Sequence, residues 1–167
     1  MGRSIVEMKE YAVRHGLCGE YLGMWNAAES SEELMMLATD ANGLPFLAEA
    51  FADEWAITES AAQRMFGGYI NGNWQANHGG YTSEIWLGVR TGQRFVLRST
   101  GTLVVNCDME LEVPDRRIRR VYISGRSNIR VMCVGTALIL VYGKNAEVSV
   151  DGSGRCDVRY IEEYKWR

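Results

Sequence analysis

The sequence predicts an α+β protein: a small bundle of about five short helices in residues 1–66, followed by a mainly β domain in residues 67–167. Three observations support this. Composition changes near Gly67 and Gly68, from Ala, Met, Leu and Glu before them to Val, Ile, Arg, Gly and Tyr after them. Apolar residues follow helical spacing before that point and alternate after it. Glycines at 125, 135, 143 and 152 then divide the chain at spacings of 10, 8 and 9 residues.

Helical periodicity and capping residues define the N-terminal elements. Helices are expected over residues 5–15, 19–28, 30–39, 45–55 and 58–66. Ser30 and Glu33 form a capping box, and Thr58 caps the last helix. Pro45 fits a first helical turn, where its missing N–H is not needed. His15 is expected at the end of the first helix, where a partly positive imidazole suits the helix dipole.

The β domain contains nine short runs that alternate apolar and polar residues. Strands are expected around residues 84–90, 93–98, 102–107, 110–113, 119–123, 129–133, 139–141, 148–150 and 156–160. The runs "NIRVMCVGT", "ALILVYGKN" and "NAEVSVDGS" resemble one another, which favours a short β-solenoid (β-helix) of stacked coils. The alternative is an antiparallel β-sandwich or barrel, and Asp151-Gly152 is a hairpin signal of that kind.

A solenoid needs both of its ends covered. We expect the helical segment to cover the first coil. The C-terminal "YIEEYKWR" is expected to fold over the last coil with its apolar side chains, which are Tyr160, Ile161, Tyr164 and Trp166.

Charge and cysteine content narrow the class of protein. The net charge is −3, and no apolar run is long enough to cross a membrane. The N-terminus has no apolar signal region, so we expect a cytoplasmic protein, in the host cell if it is phage-encoded. Four cysteines match no zinc spacing and are expected as reduced thiols, with no metal and no cofactor. The carboxylates of "DMELEVPD" are expected to form a solvated strand face.

The strongest candidate for a binding site is the basic segment "PDRRIRRVYISGRSNIR". Its arginines are Arg116, Arg117, Arg119, Arg120, Arg126 and Arg130. Arginine forks bind phosphate or carboxylate in a bidentate way. Three interpretations remain open: a solvated β surface, a salt-bridged contact with the acidic helical segment of the same or a neighbouring chain, and a nucleic-acid or nucleotide site.

Aromatic residues and one histidine supply a second candidate site at the junction of the two regions. Trp74, Tyr81 and Trp86 are expected there as interdomain core or as a binding surface. His78 lies in the Gly/Asn-rich loop "NWQANHGGYTSE", close to Ser and Thr hydroxyls. A general base at His78 is therefore the alternative, enzymatic hypothesis, of a small hydrolase or nucleotide-processing enzyme. No P-loop, GxSxG or HExxH motif accompanies His78. The sequence therefore leaves open whether the chain is an enzyme and favours a protein that is not one.

Three segments carry a resemblance to known proteins: "RRVYISGRSNIRVMCVGTALILVYGKNAEVSVDGSGRCDVRYIE", "SEELMMLATDANGLPFLAEAF" and "YINGNW". Their pattern resembles that of a loose group of uncharacterised proteins of gut bacteria and their prophages. The resemblance implies a helical N-terminal region, a β-repeat ladder and a mobile-element context, but transfers no functional residue. We expect a non-catalytic binding protein, such as a phage-encoded accessory protein that inhibits a host defence system. Its partner would be a protein, or nucleic acid through the arginine segment, and homo-oligomers are expected. A structural component of a phage particle is a further alternative.

Overall fold

The computed structural model describes residues 3–14, 16–52 and 58–162, in which a helical region precedes a β-solenoid of about four turns. The helices are α1 (Arg3–Arg14), α2 (Gly19–Ala27), α3 (Ser31–Ala38), α4 (Gly43–Ala52) and α5 (Glu59–Phe66), followed by a 3-10 turn at Gly67–Tyr69. The strands are β1 (Ala76–His78), β2 (Tyr81–Leu87), β3 (Arg90–Val96), β4 (Gly101–Val105), β5 (Asp108–Val113), β6 (Ile118–Ser124), β7 (Asn128–Cys133), β8 (Thr136–Tyr142), β9 (Glu147–Asp151) and β10 (Arg155–Ile161). None of the described helices has the length and apolar character needed to cross a bilayer.

The capping predictions are confirmed in detail. Ser30 Oγ accepts a hydrogen bond from Glu33 N at 3.1 Å, while the Glu33 carboxylate accepts one from Glu29 N at 2.7 Å. The second bond comes one residue earlier than in a standard capping box. Thr58 Oγ1 accepts a bond from Ala61 N at 3.2 Å and so begins α5. His15, predicted at the end of the first helix, lies outside the described residues.

The β-solenoid prediction is confirmed, and each coil has two strands that belong to different sheets. Sheet A has the order β1-β2-β4-β6-β8-β10 and sheet B the order β3-β5-β7-β9. All neighbours are parallel except β1, which pairs antiparallel with the edge of β2. Registers join residues about one coil apart: Ser83 pairs with Gly101, and Asn128 with Glu147. The glycine spacing seen in the sequence therefore measures half a coil.

The Asp151-Gly152 signal marks a corner of the coil and not a hairpin. It joins β9 of sheet B to β10 of sheet A. Gly152 has φ of +107°, which side chains rarely permit, and a Cβ atom there would collide with the backbone of Cys133 in the preceding coil. Close stacking of successive corners thus requires glycine at this position.

Beyond the first coil, the interior between the two sheets is an apolar core. Alternate residues of each strand point inward, and the same inward positions recur from coil to coil, so that Leu111 lies beside Val131 and Val121 beside Ile139. All four residues are at most 1% exposed. Stacked aliphatic residues in register are the physical reason that similar short runs recur along this sequence.

The helices form a layer on the outer face of sheet A. One hydrophobic cluster joins helical residues such as Leu34, Leu44 and Phe66 to Leu103 and Tyr122 of the sheet. Helix α4 contacts β4, β6 and β8. The helical layer thus lies along the face of the solenoid, and not over the end of its first coil as expected, because sheet A presents a broad apolar face to cover. Sheet B leaves its outer face to solvent.

Candidate functional site

The six arginines of the basic segment are distributed over four places in the fold. Arg116 and Arg117 are exposed in the turn before β6, and Arg126 is exposed in the turn after it. The other three lie on strands, as Arg119 and Arg120 on β6 and Arg130 on β7. Because β6 and β7 belong to different sheets, these side chains do not share one face.

Arg119 points into the solenoid and is only 5% exposed. Its Nη1 donates to the Ser99 carbonyl oxygen at 3.1 Å, and its Nη2 donates to Asp115 Oδ2 at 2.9 Å. The Arg119 bond holds the pKa of the exposed Asp115 carboxyl below its ordinary value. Arg119 is thus engaged inside the protein, and its guanidinium is not presented to a partner.

A second buried charge lies in the same part of the interior. Glu84 of β2 is 8% exposed, and burial raises its pKa while hydrogen bonds from Trp86 and Ser99 oppose the rise. Arg98 and Arg119 lower the pKa further by their charge. This first-coil end of the interior is therefore polar, in contrast to the aliphatic coils that follow.

Arg130 belongs to a charged row on the outer face of sheet B. Its Nε lies 2.8 Å from Asp151 Oδ2, and its Nη1 lies 3.9 Å from Glu110 Oε2. Glu110 also bonds Arg94 on its other side. These pairs alternate in sign across four neighbouring strands, so the charges of the row largely neutralise one another. The solvated acidic strand face predicted from "DMELEVPD" is this row, completed by arginines.

Arg120 has a different surrounding from the other arginines. It projects from β6 toward the helical layer, next to Tyr122. Burial raises the pKa of the Tyr122 hydroxyl, and the charge and hydrogen bond of Arg120 oppose that rise. No carboxylate among the described residues forms an ion pair with Arg120.

The aromatic residues predicted at the junction do not converge on one site. Trp86 faces the solenoid interior, with its ring centroid 4.6 Å from that of Phe95. Trp74 packs edge-on against Tyr69 at 5.3 Å. Both Trp74 and Tyr81 contact the cluster shared with the helices. The interdomain-core interpretation fits Trp74 and Tyr81.

His78 ends β1 and faces Tyr81, with ring centroids 6.4 Å apart. Its Nε2 is buried and has no hydrogen-bond partner in the described part of the chain. General-base catalysis needs a hydrogen bond between the base and the hydroxyl that it activates. Among the described residues, no Ser or Thr hydroxyl forms a hydrogen bond with His78 Nε2.

The last coil, formed by β9 and β10, is the largest departure from the closed structure expected. Val150 pairs in register with Val131, which is fully buried, yet Val150 is 39% exposed. Tyr160 pairs with the fully buried Val141 and is 60% exposed. Equivalent inward positions are thus covered in the preceding coil and open in this one.

Sequence patterns did identify the inward positions of the last coil, because Val148, Val150 and Val158 alternate with polar residues. Of the residues expected to cover it, Tyr160 stands exposed on β10, while Ile161 packs against the helical cluster. The remaining residues of that prediction, Tyr164 and Trp166, lie outside the described residues. Which side chains cover a coil end is a tertiary contact that local alternation does not encode.

Both strands of the last coil are also sheet edges. β10 is the terminal strand of sheet A and β9 that of sheet B in the described chain. Within the described part of the chain, each has no neighbouring strand on one side, next to partly exposed apolar side chains. Such an edge can pair with an added strand. No protein family, curated protein or solved structure was found that matches this chain.

Proposed function

We propose that this chain is a non-catalytic binding protein that docks a protein through its last coil. The observation that carries the proposal is the contrast between coils: Val131 and Val141 are fully buried, whereas Val150 and Tyr160 at the same rungs are exposed. Covering these side chains and pairing the free strand edges both favour association.

The occupant of this surface is a second copy of the chain. A two-fold axis perpendicular to the sheets would set β10 antiparallel to β10 of the other copy, and β9 antiparallel to β9. If the axis passes through Val158, residue pairs across the interface are those whose numbers sum to 316, by the register rule for antiparallel strands. Asp157 then lies opposite Arg159 of the second copy, and Val158 lies opposite Val158.

This pairing is favourable in charge as well as in shape. Asp157 and Arg159 already pair within one chain at 2.8 Å, and in the dimer each also faces the opposite charge of the second copy, while Cys156 faces Tyr160 on the inward side. On β9, Asp151 is already paired with Arg130 of its own chain, which reduces repulsion between the two β9 strands. The dimer would be a longer solenoid with a helical layer at each half.

The narrower role implied by the resemblance, inhibition of a host defence system by a phage-encoded protein, stays a prediction. The distribution of the arginines favours a protein partner over nucleic acid. Nucleic-acid binding depends on several basic side chains facing the phosphate backbone together, whereas here Arg119 is buried and Arg130 is paired with carboxylates.

Sedimentation equilibrium over a wide concentration range tests the proposal. We expect the native chain to dimerise reversibly and Val158→Asp to be monomeric, because the variant sets two carboxylates against each other at the axis. Val134→Asp is the matched control: Val134 is 57% exposed in the turn between β7 and β8, one coil before the edge strands, and should dimerise normally.

A charge swap tests the register itself. Asp157→Arg should weaken the dimer, because it opposes two arginines across the interface. The double variant D157R/R159D should restore it, because the opposite charges are re-formed in reverse. A native chain that stays monomeric at every concentration, or a Val158→Asp variant that dimerises like the native chain, would overturn the proposal.

A further inference from the structure

A cavity of about 710 Å³ lies between the helical layer and the outer face of sheet A. Protein interiors are close-packed and contain few voids larger than a water molecule. The volume is instead within the range of roughly 300 to 1,000 Å³ that is typical of small-molecule sites. Of the last coil, Ile161 of β10 contributes to this cavity, but the inference drawn from the cavity does not depend on the function proposed for the last coil.

The walls of the cavity are predominantly apolar. They come from all five helices on one side and from β6, β8 and β10 on the other. Representative lining residues are Met8, Trp25, Leu47, Phe66, Leu140 and Ile161. A void with such walls would gain little from water, because water needs two to four polar partners to be held. An apolar group fits it better.

One end of the cavity is polar. Arg120 and Tyr122 contribute there from adjacent positions on the same face of β6. Tyr122 is 2% exposed, and its hydroxyl is within the hydrogen-bonding reach of Arg120. Glu49 also lines the cavity, but it is buried and already has an interaction within the chain. Arg120 is thus a solvent-exposed cation that borders the apolar cavity, and it forms no salt bridge with a carboxylate of the described residues.

We propose that this cavity binds an amphipathic carboxylic acid, with its apolar chain between the helical layer and sheet A and its carboxylate on Arg120 and Tyr122. A guanidinium donates two parallel hydrogen bonds to a carboxylate, and a tyrosine hydroxyl adds a third. The positive charge of Arg120 orients the ligand with its carboxylate at the polar end of the cavity, and the apolar walls supply most of the affinity.

Calorimetric titration with a homologous series of saturated fatty acids tests the apolar part. Octanoate, decanoate and dodecanoate, kept below their micellar concentrations, should bind with one site per chain. Affinity should rise about fourfold for each added methylene, as expected for burial of hydrocarbon. Dodecan-1-ol should bind at least tenfold more weakly than dodecanoate, because it lacks the charge that Arg120 pairs with.

Two variants test the placement of the ligand. Arg120→Gln should lower dodecanoate affinity at least tenfold and leave dodecan-1-ol unchanged, so that the preference for the acid disappears. Leu140→Trp should weaken both ligands by filling the cavity. Arg126→Gln, an exposed turn arginine outside the cavity, is the matched control and should bind like the native chain.

The ligand pair keeps the test decisive even if a variant fails to fold. Equal binding of dodecanoate and dodecan-1-ol to the native chain would refute the role of Arg120. Affinity independent of chain length would refute the apolar site. No binding of either ligand would refute the whole proposal.

Discussion

Two valines on neighbouring rungs of sheet B allow the solenoid and its open end to be tested by one measurement. Val131 on β7 and Val150 on β9 are directly paired, and both face inward. Val131 is 0% exposed and Val150 is 39% exposed. Replacement of each by alanine removes the same atoms from equivalent places in successive coils, so differences in stability report on burial alone.

The expected magnitudes follow from burial. Removing two methyl groups costs about 1.6 kcal/mol at about 0.8 kcal/mol per carbon when the site is fully buried. A cavity in a rigid interior adds to that, so Val131→Ala should lower the free energy of unfolding by about 2–3 kcal/mol. Val150→Ala should cost about 1 kcal/mol, because part of its surface is already solvated and its site can relax.

Urea-induced unfolding, followed by circular dichroism and extrapolated linearly to water, measures both costs. The samples should be dilute enough to be monomeric by light scattering, because dimerisation through the last coil would bury Val150. Equal costs for the two variants in the monomer would refute the assignment of an open last coil. A larger loss of stability for Val150→Ala than for Val131→Ala would refute the placement of Val131 in an inner coil and of Val150 in the end coil.

Three further predictions concern buried groups. Burial raises the pKa of Glu84 above its ordinary value of 4.5. The folded chain therefore retains a proton that the unfolded chain releases, and its stability should fall as pH rises above 4.5; Glu84→Gln should flatten this slope in urea melts between pH 4 and 7. Arg119→Ala should cost about 1–3 kcal/mol, since it leaves the buried Ser99 carbonyl without its donor, and Arg117→Ala in the exposed turn should change stability little; equal costs would contradict the burial of Arg119. Iodoacetamide at pH 8 should label the exposed Cys18 and spare Cys107, whose pKa burial raises to about 11, as read by mass spectrometry; rapid native labelling of Cys107 would contradict its position in the core.

The order and type of elements were predictable because each depends on local chemistry. The Ser30 and Thr58 caps and the alternation through β5 to β10 predict helices and strands at the places where the structure has them. Similarity of "NIRVMCVGT" to its neighbours predicted stacking, because equivalent positions in a solenoid share one environment. The hairpin signal at Asp151-Gly152 was misleading because a coil corner needs the same positive φ as a tight turn.

The candidate sites were predicted less well, because they depend on contacts between distant parts of the chain. Adjacent arginines at 119 and 120 point to opposite faces of β6, so one is buried in the solenoid and the other meets the helices. No pattern in the sequence predicts the cavity, because its walls come from five helices and three strands that are distant along the chain. It becomes visible only once the helical layer is placed on sheet A and not on the coil end.

The way that α4 crosses the solenoid has a consequence for how the protein unravels. Helix α4 contacts β4 and β6 extensively, β8 less so, and has no extensive contact with β10. It therefore holds the coils of β4, β6 and β8 together and forms a brace across them. The coil beyond the brace should open by itself, ahead of the rest. Backbone amides of β10 should then exchange with deuterium sooner than those of β4.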